Sequence, residues 1–68
     1  MLDISKEIKR MMFERDVNIS RLAELLNTSQ PNLSAKLKRN DFRVSELEKI
    51  SLILGYEVKI EFLKKQES

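Results

Sequence analysis

The sequence contains neither cysteine nor histidine, and these two absences exclude several kinds of chemistry. Without cysteine the chain can form no disulfide, and without both residues a structural zinc ion would lack its common ligands. Catalysis that pairs a nucleophile with a histidine base is excluded for the same reason. We therefore expect neither an enzyme nor a protein that holds a metal or another cofactor.

Long apolar runs are also lacking. No stretch approaches the roughly 18 apolar residues of a membrane span, and the N-terminus does not resemble a signal peptide. We therefore expect a soluble, cytoplasmic protein without a membrane partner. The 68 residues form one small domain, and such a chain buries only about 60% of its unfolded surface. Because disulfides and zinc are excluded, self-association is the expected supplement to this core.

Positive charge is concentrated in one place, although the net charge is only +2. Between residues 29 and 43 four cations accompany a single anion, Asp41. A localised basic surface suggests a polyanionic partner. The alternative is an ordinary helix end, at which the helix dipole stabilises cations. The four cations are Lys36, Lys38, Arg39 and Arg43.

The spacing of apolar residues predicts four helices, each preceded by a residue that can cap it. Asp3 begins the first helix, Asn18 the second and Ser29 the third, while Ser45 and Glu48 fit a capping box for the fourth. The predicted helices cover about residues 4–15, 19–26, 30–39 and 45–54. The predicted core residues are Ile4, Ile8, Met11, Met12, Ile19, Leu22, Ala23, Leu26, Leu33, Leu37, Phe42, Val44, Leu47, Ile50, Ile53 and Leu54.

The third helix carries the polar chemistry of the chain. Leu33 and Leu37 fix its inward side, so at about 100° per residue Ala35 points away from the core. A short helix that offers amides and cations on its outer side suits the major groove of DNA. Gln and Asn can bond adenine, and Pro or Ala can contact a thymine methyl group. The residues expected to contact bases are Gln30, Pro31, Asn32 and Ala35.

Cations and hydroxyl groups around this helix are expected to hold the phosphate backbone, which sets affinity and register rather than sequence. Asn18 and Ser29 could instead serve only as helix caps, and Gln30 and Asn32 could simply be solvated. The residues expected to contact phosphates are Asn18, Ser29, Ser34, Lys36, Lys38, Arg39 and Arg43.

After Gly55 the apolar period changes from that of a helix to that of a strand, over residues 56–63. The chain has no second strand to pair with it, so we expect an antiparallel ribbon with a second copy. Centring the ribbon on Ile60 places Lys59 opposite Glu61 of the partner; a centre at Val58 is also tolerable. The alternative is an irregular extended tail. The expected interface residues are Tyr56, Val58, Ile60 and Phe62.

The segment LAELLNTSQPNLSAKL resembles the helix-turn-helix of phage Cro proteins and repressors, the Xre-like family of small bacterial regulators. The resemblance covers about residues 3–55 and extends to YEVKIEF, which is similar to a Cro-type dimerising strand. Two positions depart from the family pattern. Asn27 stands where the turn usually has Gly, and Lys36 precedes Leu37 where an inward aliphatic residue is usual. The second departure leaves two rotations of the third helix open, about 40° apart.

The resemblance implies a mainly helical, lambda-repressor-like fold in residues 1–55, a dimerising strand in 56–63 and a tail in 64–68. It implies a phage- or plasmid-derived transcriptional regulator, most simply a repressor, that binds a palindromic DNA operator as a homodimer. No small-molecule ligand is expected. The alternative from another class is a protein-interaction module, such as an antitoxin whose strand pairs with a partner protein.

Overall fold

The computed structural model describes residues 2–66, so Met1 and the last two residues of the predicted tail lie outside the described residues. Within this range the chain forms four helices. They are α1 (Ile4–Glu14), α2 (Ile19–Leu25), α3 (Gln30–Arg39) and α4 (Val44–Leu54). The expectation of a mainly helical, four-helix protein is confirmed.

Three of the predicted caps begin their helices as expected. The side chain of Asp3 accepts a hydrogen bond from the backbone N–H of Lys6 at 3.0 Å. Asn18 and Ser29 act in the same way at the starts of α2 and α3. Each cap pairs a backbone N–H that has no partner within its own helix.

The capping residue of the fourth helix lies two residues earlier than predicted, at Arg43 rather than at Ser45. The backbone N–H of Arg43 donates to the carboxylate of Glu46 at 2.9 Å, so the start lies at Val44 rather than at Ser45 with Glu48. Val44 is 52% exposed and does not enter the core as predicted. As the first residue of α4, it projects from the helix end instead.

Left-handed residues separate the helices. Asn27, Asn40 and Gly55 have φ angles of 57°, 55° and 80°, and Asp16 adds a fourth at 55°. Asn and Asp tolerate this conformation better than most residues other than Gly. Asn27, Asn40 and Gly55 each follow directly after a predicted helix range, and Asp16 lies within the predicted break between α1 and α2.

One apolar core joins all four helices. Ile8, Leu22, Leu33 and Ile50 are its most completely buried large side chains, one from each helix. Ile19, Leu26, Phe42 and several other predicted core residues are half-buried around it. None of the helices in the described range is long and apolar enough to cross a membrane.

The predicted C-terminal strand is not observed in the single chain. Residues 56–66 have no regular secondary structure, and every residue from 59 to 66 is exposed. Residues 2–66 of a single copy offer no neighbouring strand for this segment, which agrees with the reason for predicting a ribbon between copies. The ribbon stays a prediction about the dimer.

Candidate nucleic-acid interface

Helices α2 and α3 pack against each other through a tight turn formed by residues 26–29. Asn27 is left-handed, and the backbone N–H of Thr28 donates to the carbonyl oxygen of Ala23 at 2.9 Å. Ser29 then caps α3 by accepting from the N–H of Asn32 at 3.2 Å. These contacts connect α2 to α3 without a glycine at the turn.

Hydrogen bonds to α1 hold the other end of α3. The Asn40 side chain accepts from the backbone N–H of Ser5 at 2.9 Å and donates to the carbonyl of Leu2 at 2.7 Å. The buried hydroxyl of Ser5 donates to the carbonyl of Leu37 at 2.6 Å. The helix is therefore fixed at both ends while its outer face stays open.

Three of the four residues expected to contact bases are exposed at the start of α3: Gln30, Pro31 and Asn32. Ala35, one turn further along, is half-buried. The Asn32 side-chain amide donates to the hydroxyl of Thr28 at 2.8 Å, which restricts its orientation. One amide hydrogen and the amide oxygen remain for a base, and adenine recognition needs both a donor and an acceptor.

Asn18 and Ser29 act as caps through their oxygen atoms, and both side chains are exposed. The Asn18 oxygen accepts from the N–H of Arg21 at 2.8 Å. This use leaves the Asn18 amide N–H and the Ser29 hydroxyl hydrogen as donors. The role of cap and the expected role of phosphate contact are therefore compatible at both residues.

Four further residues expected to contact phosphates are exposed on or just after α3: Ser34, Lys38, Arg39 and Arg43. None of the three cations makes an ion pair with another residue between 2 and 66. Their charges are thus not neutralised by neighbouring carboxylates. Arg43 lies at the start of α4, so the basic surface extends from α3 across the following loop.

Lys36 differs from these residues because it is engaged within the protein. Its ammonium group pairs with the Glu46 carboxylate, and the two side chains are only 29% and 30% exposed. The hydrogen bond from Lys36, followed by that from the Arg43 backbone, lowers the pKa of Glu46. Lys36 therefore lies on the side of α3 that faces α4.

Sequence reasoning missed the partners that orient the predicted site residues. Thr28 bonds Asn32 at a spacing of four residues, which is a spacing that brings side chains together near a helix start. Glu46 meets Lys36 ten residues away, across two helices, and no periodic signal in the sequence indicates that contact. No group of three or more acidic residues in the described range could hold a metal ion.

The predicted interface residues divide into two pairs. Tyr56 and Val58 are half-buried against the helices. The Tyr56 hydroxyl donates to the Glu14 carboxylate, and its ring lies 5.4 Å from the guanidinium of Arg15. Ile60 and Phe62 are 49% and 95% exposed. The structure brings the first pair to the body of the protein and leaves the second pair uncovered in the single chain.

Two helices joined by a tight turn, the second with polar and cationic groups on its outer side, define a helix-turn-helix DNA-binding protein. A family model described as "Cro/C1-type HTH DNA-binding domain" matches residues 7–59. The chain belongs to this family, which confirms the resemblance seen in the sequence. No curated protein and no solved structure matches the chain significantly.

Proposed function

We propose that this protein is a sequence-specific transcriptional regulator, most simply a repressor, that binds a palindromic operator as a homodimer. The main support is the exposed surface of α3 and the loop after it, which carries the Gln30 and Asn32 amides and three cations without ion-pair partners in residues 2–66. The step from DNA binding to repression rests on analogy, since occupying a promoter is the simplest way for so small a protein to act. We expect it to act in the cytoplasm without a small-molecule ligand.

Base recognition is assigned to the first turns of α3. Gln30 and Asn32 would form paired hydrogen bonds to adenine, and Pro31 and Ala35 would contact thymine methyl groups. The bond from Asn32 to Thr28 supports this assignment, because a side chain that is already oriented loses less conformational freedom on binding.

Phosphate contacts are assigned to the cations that make no ion pair within residues 2–66, and to the side-chain hydrogen-bond donors around α3. The ammonium and guanidinium groups supply affinity through counterion release, and the hydroxyl and amide donors set the register. Lys36 is left out of this set because Glu46 holds it in the free protein. The proposed contacts are Asn18, Ser29, Ser34, Lys38, Arg39 and Arg43.

Dimerisation is assigned to the segment after α4, with Ile60 at the two-fold axis and Val58 as the other acceptable centre. Ile60 and Phe62 expose apolar surface that an antiparallel partner strand would cover. Lys59 and Glu61 already attract each other within one chain, at 2.9 Å. A ribbon centred on Ile60 would place Lys59 of each chain opposite Glu61 of the other chain.

A protein-interaction module is the second candidate, and the exposed apolar side chains of Ile60 and Phe62 favour it as well. The tail could pair with the sheet edge of another protein, as an antitoxin would with its toxin, instead of with its own copy. The two candidates differ in the free protein: a regulator of the proposed kind is a dimer, and the interaction module is a monomer.

Selection from a library of random duplex DNA, followed by sequencing, tests the proposal when the oligomeric state is measured on the same sample. A dimer that enriches an inverted repeat would support it, with half-sites about 34 Å apart between centres. A monomer that binds DNA weakly, with strong salt dependence and no enriched motif, would contradict it and favour the interaction module.

A further inference from the structure

The carboxylate of Glu46 makes two contacts that together join α3 to α4. One oxygen accepts from the backbone N–H of Arg43 at the start of α4, and the other receives the ammonium group of Lys36 from α3. Both side chains are about 70% covered. Lys36 is the one cation of α3 held in this way within the described residues, whereas Lys38 and Arg39 are open.

We infer that Glu46 is a positioning residue for DNA recognition, which holds Lys36 against α4 and thereby withholds its ammonium group from DNA phosphates. This inference rests on the proposed function, because it concerns how the α3 surface engages DNA. Its consequence is a limit on nonspecific affinity. A cation that can reach any phosphate strengthens binding to all sequences equally, so it raises the affinity for competing DNA without adding any preference for the operator.

The geometry also gives Glu46 a role in orienting the reading face. Lys36 lies one turn beyond Asn32, and both residues line the same groove beside α4 together with Thr28. The contacts of Asn32 with Thr28 and of Lys36 with Glu46 therefore hold the same side of α3 at two successive turns. The buried Leu33 and Leu37 set the rotation of α3, and the pair of Lys36 with Glu46 adds a contact on the side that faces α4.

Glu46→Gln tests the inference, since glutamine keeps an oxygen that can accept from the Arg43 N–H but loses the charge that binds Lys36. The assay is the salt dependence of affinity for a random-sequence duplex, measured between about 50 and 200 mM salt. One added phosphate contact steepens the logarithmic slope by roughly 0.9 per subunit, which is an additional loss of roughly 3-fold in affinity per subunit over this range. The operator-to-random affinity ratio should stay nearly unchanged in the same variant, because the added phosphate contact strengthens binding to both kinds of DNA.

Glu48→Gln is the matched control, because Glu48 is an exposed residue of the same helix and makes no ion pair within residues 2–66. It removes the same charge and should leave the slope near that of the unmodified protein. Equal changes in E46Q and E48Q would overturn the inference, because the effect would then be one of net charge alone.

Two variants of Lys36 test the inference further, and the first of them does not depend on the folding of E46Q. Lys36→Gln alone should leave the slope unchanged, and a shallower slope would show that Lys36 already contacts phosphate. In the K36Q/E46Q double variant the steep slope should disappear; its persistence would also overturn the inference. Failure of the proposed function would look different, because the unmodified protein would then lack a preferred sequence altogether.

Discussion

At the scale of single residues, Gln30 and Asn32 are the side chains on which sequence preference should depend. Both are exposed in the first turn of α3. Replacing either with alanine should cost roughly 1–3 kcal/mol of operator binding and relax the preference at the base pair concerned. Competition binding against operators that carry each single base change measures both effects.

Lys38→Ala is the comparison for these variants, because it changes an exposed residue of the same helix that is assigned to phosphate. It should weaken binding to all sequences alike and make the salt slope shallower by about 0.9 per subunit. If the alanine variants at Gln30 and Asn32 behaved like K38A, the assignment of base contacts would be wrong.

Gly55 is the residue at which backbone conformation most restricts the side chain. Its φ of +80° disfavours any residue with a Cβ, and an added Cβ would lie 2.6 Å from the nearest guanidinium nitrogen of Arg15. That guanidinium donates to the carbonyl oxygen of Leu54 at 2.8 Å, so moving it away would break this hydrogen bond. Gly55→Ala should lower the free energy of unfolding by about 1–2 kcal/mol, measured by urea denaturation.

Asn27→Gly is expected to have little effect on stability, although Asn27 has a left-handed backbone like that of Gly55. Asn27 is exposed and left-handed, with φ at 57°, so glycine removes a mild strain without removing a buried side chain. Its unfolding free energy should stay within about 0.5 kcal/mol of that of the unmodified protein. A large loss would show that the Asn27 side chain has a role beyond its backbone conformation.

At the scale of helices, the sequence predicted what local chemistry determines. Asp3, Asn18 and Ser29 cap their helices through contacts three residues away, and such contacts leave a spacing that can be read in the sequence. The start of α4 was misplaced because two capping patterns overlap there. Glu46 bonds Arg43, and that competing contact replaces the predicted pairing of Ser45 with Glu48.

The rotation of α3 could not be predicted because contacts between helices determine it. Lys36 meets Glu46 only after α3 and α4 have folded together, so neither the period of α3 nor that of α4 indicates the pair. The hydrogen bonds of Asn40 to Ser5 and Leu2 are likewise formed between distant segments. The exposure of most residues expected to contact DNA was therefore predictable from sequence, whereas the contacts that orient their side chains were not.

The pair between Lys36 and Glu46 predicts how stability changes with pH. The hydrogen bond from Lys36 lowers the pKa of Glu46 in the folded protein. A carboxyl group with a depressed folded pKa stabilises the protein above its unfolded pKa, near 4.3. That contribution is lost as the pH falls through the folded pKa. E46Q should therefore lose less stability than the unmodified protein when the pH is lowered from about 6 to 3.

Thermal unfolding at a series of pH values measures this difference, with E48Q as the control that should follow the unmodified protein. E46Q will still lose some stability at low pH, because the hydrogen bond from Tyr56 also lowers the pKa of Glu14, and that contribution remains in the variant. Identical pH profiles for E46Q and E48Q would show that the pair with Lys36 adds nothing to stability.

At the scale of the whole molecule, the segment after α4 links the helical core to the proposed dimer interface. Arg15, which follows α1, donates to the end of α4 and lies against the ring of Tyr56, so these contacts fix the direction in which the tail leaves the helices. Residues from 59 onward are exposed in the single chain. In a palindromic complex this segment would set the distance between the two α3 helices, and hence the spacing of the half-sites.

Ile60→Asp should break the proposed dimer, because it places two like charges next to each other at the two-fold axis of a ribbon centred there. The expected result is a monomer by sedimentation equilibrium at concentrations at which the unmodified protein is a dimer. Its helix content should be unchanged, since Ile60 lies outside the four helices. Operator affinity should fall much more than affinity for random DNA, because each half-site would then be bound separately.

Gln66→Asp is the matched control, since it adds the same negative charge to the same exposed segment beyond the predicted ribbon. It should remain a dimer and bind the operator with nearly unchanged affinity. An I60D variant that stayed dimeric would refute the ribbon and place the interface elsewhere. If the unmodified protein were itself monomeric, the exposed Ile60 and Phe62 would instead be the surface that a different protein covers, and I60D should then abolish binding to that partner while leaving the DNA affinity of the monomer intact.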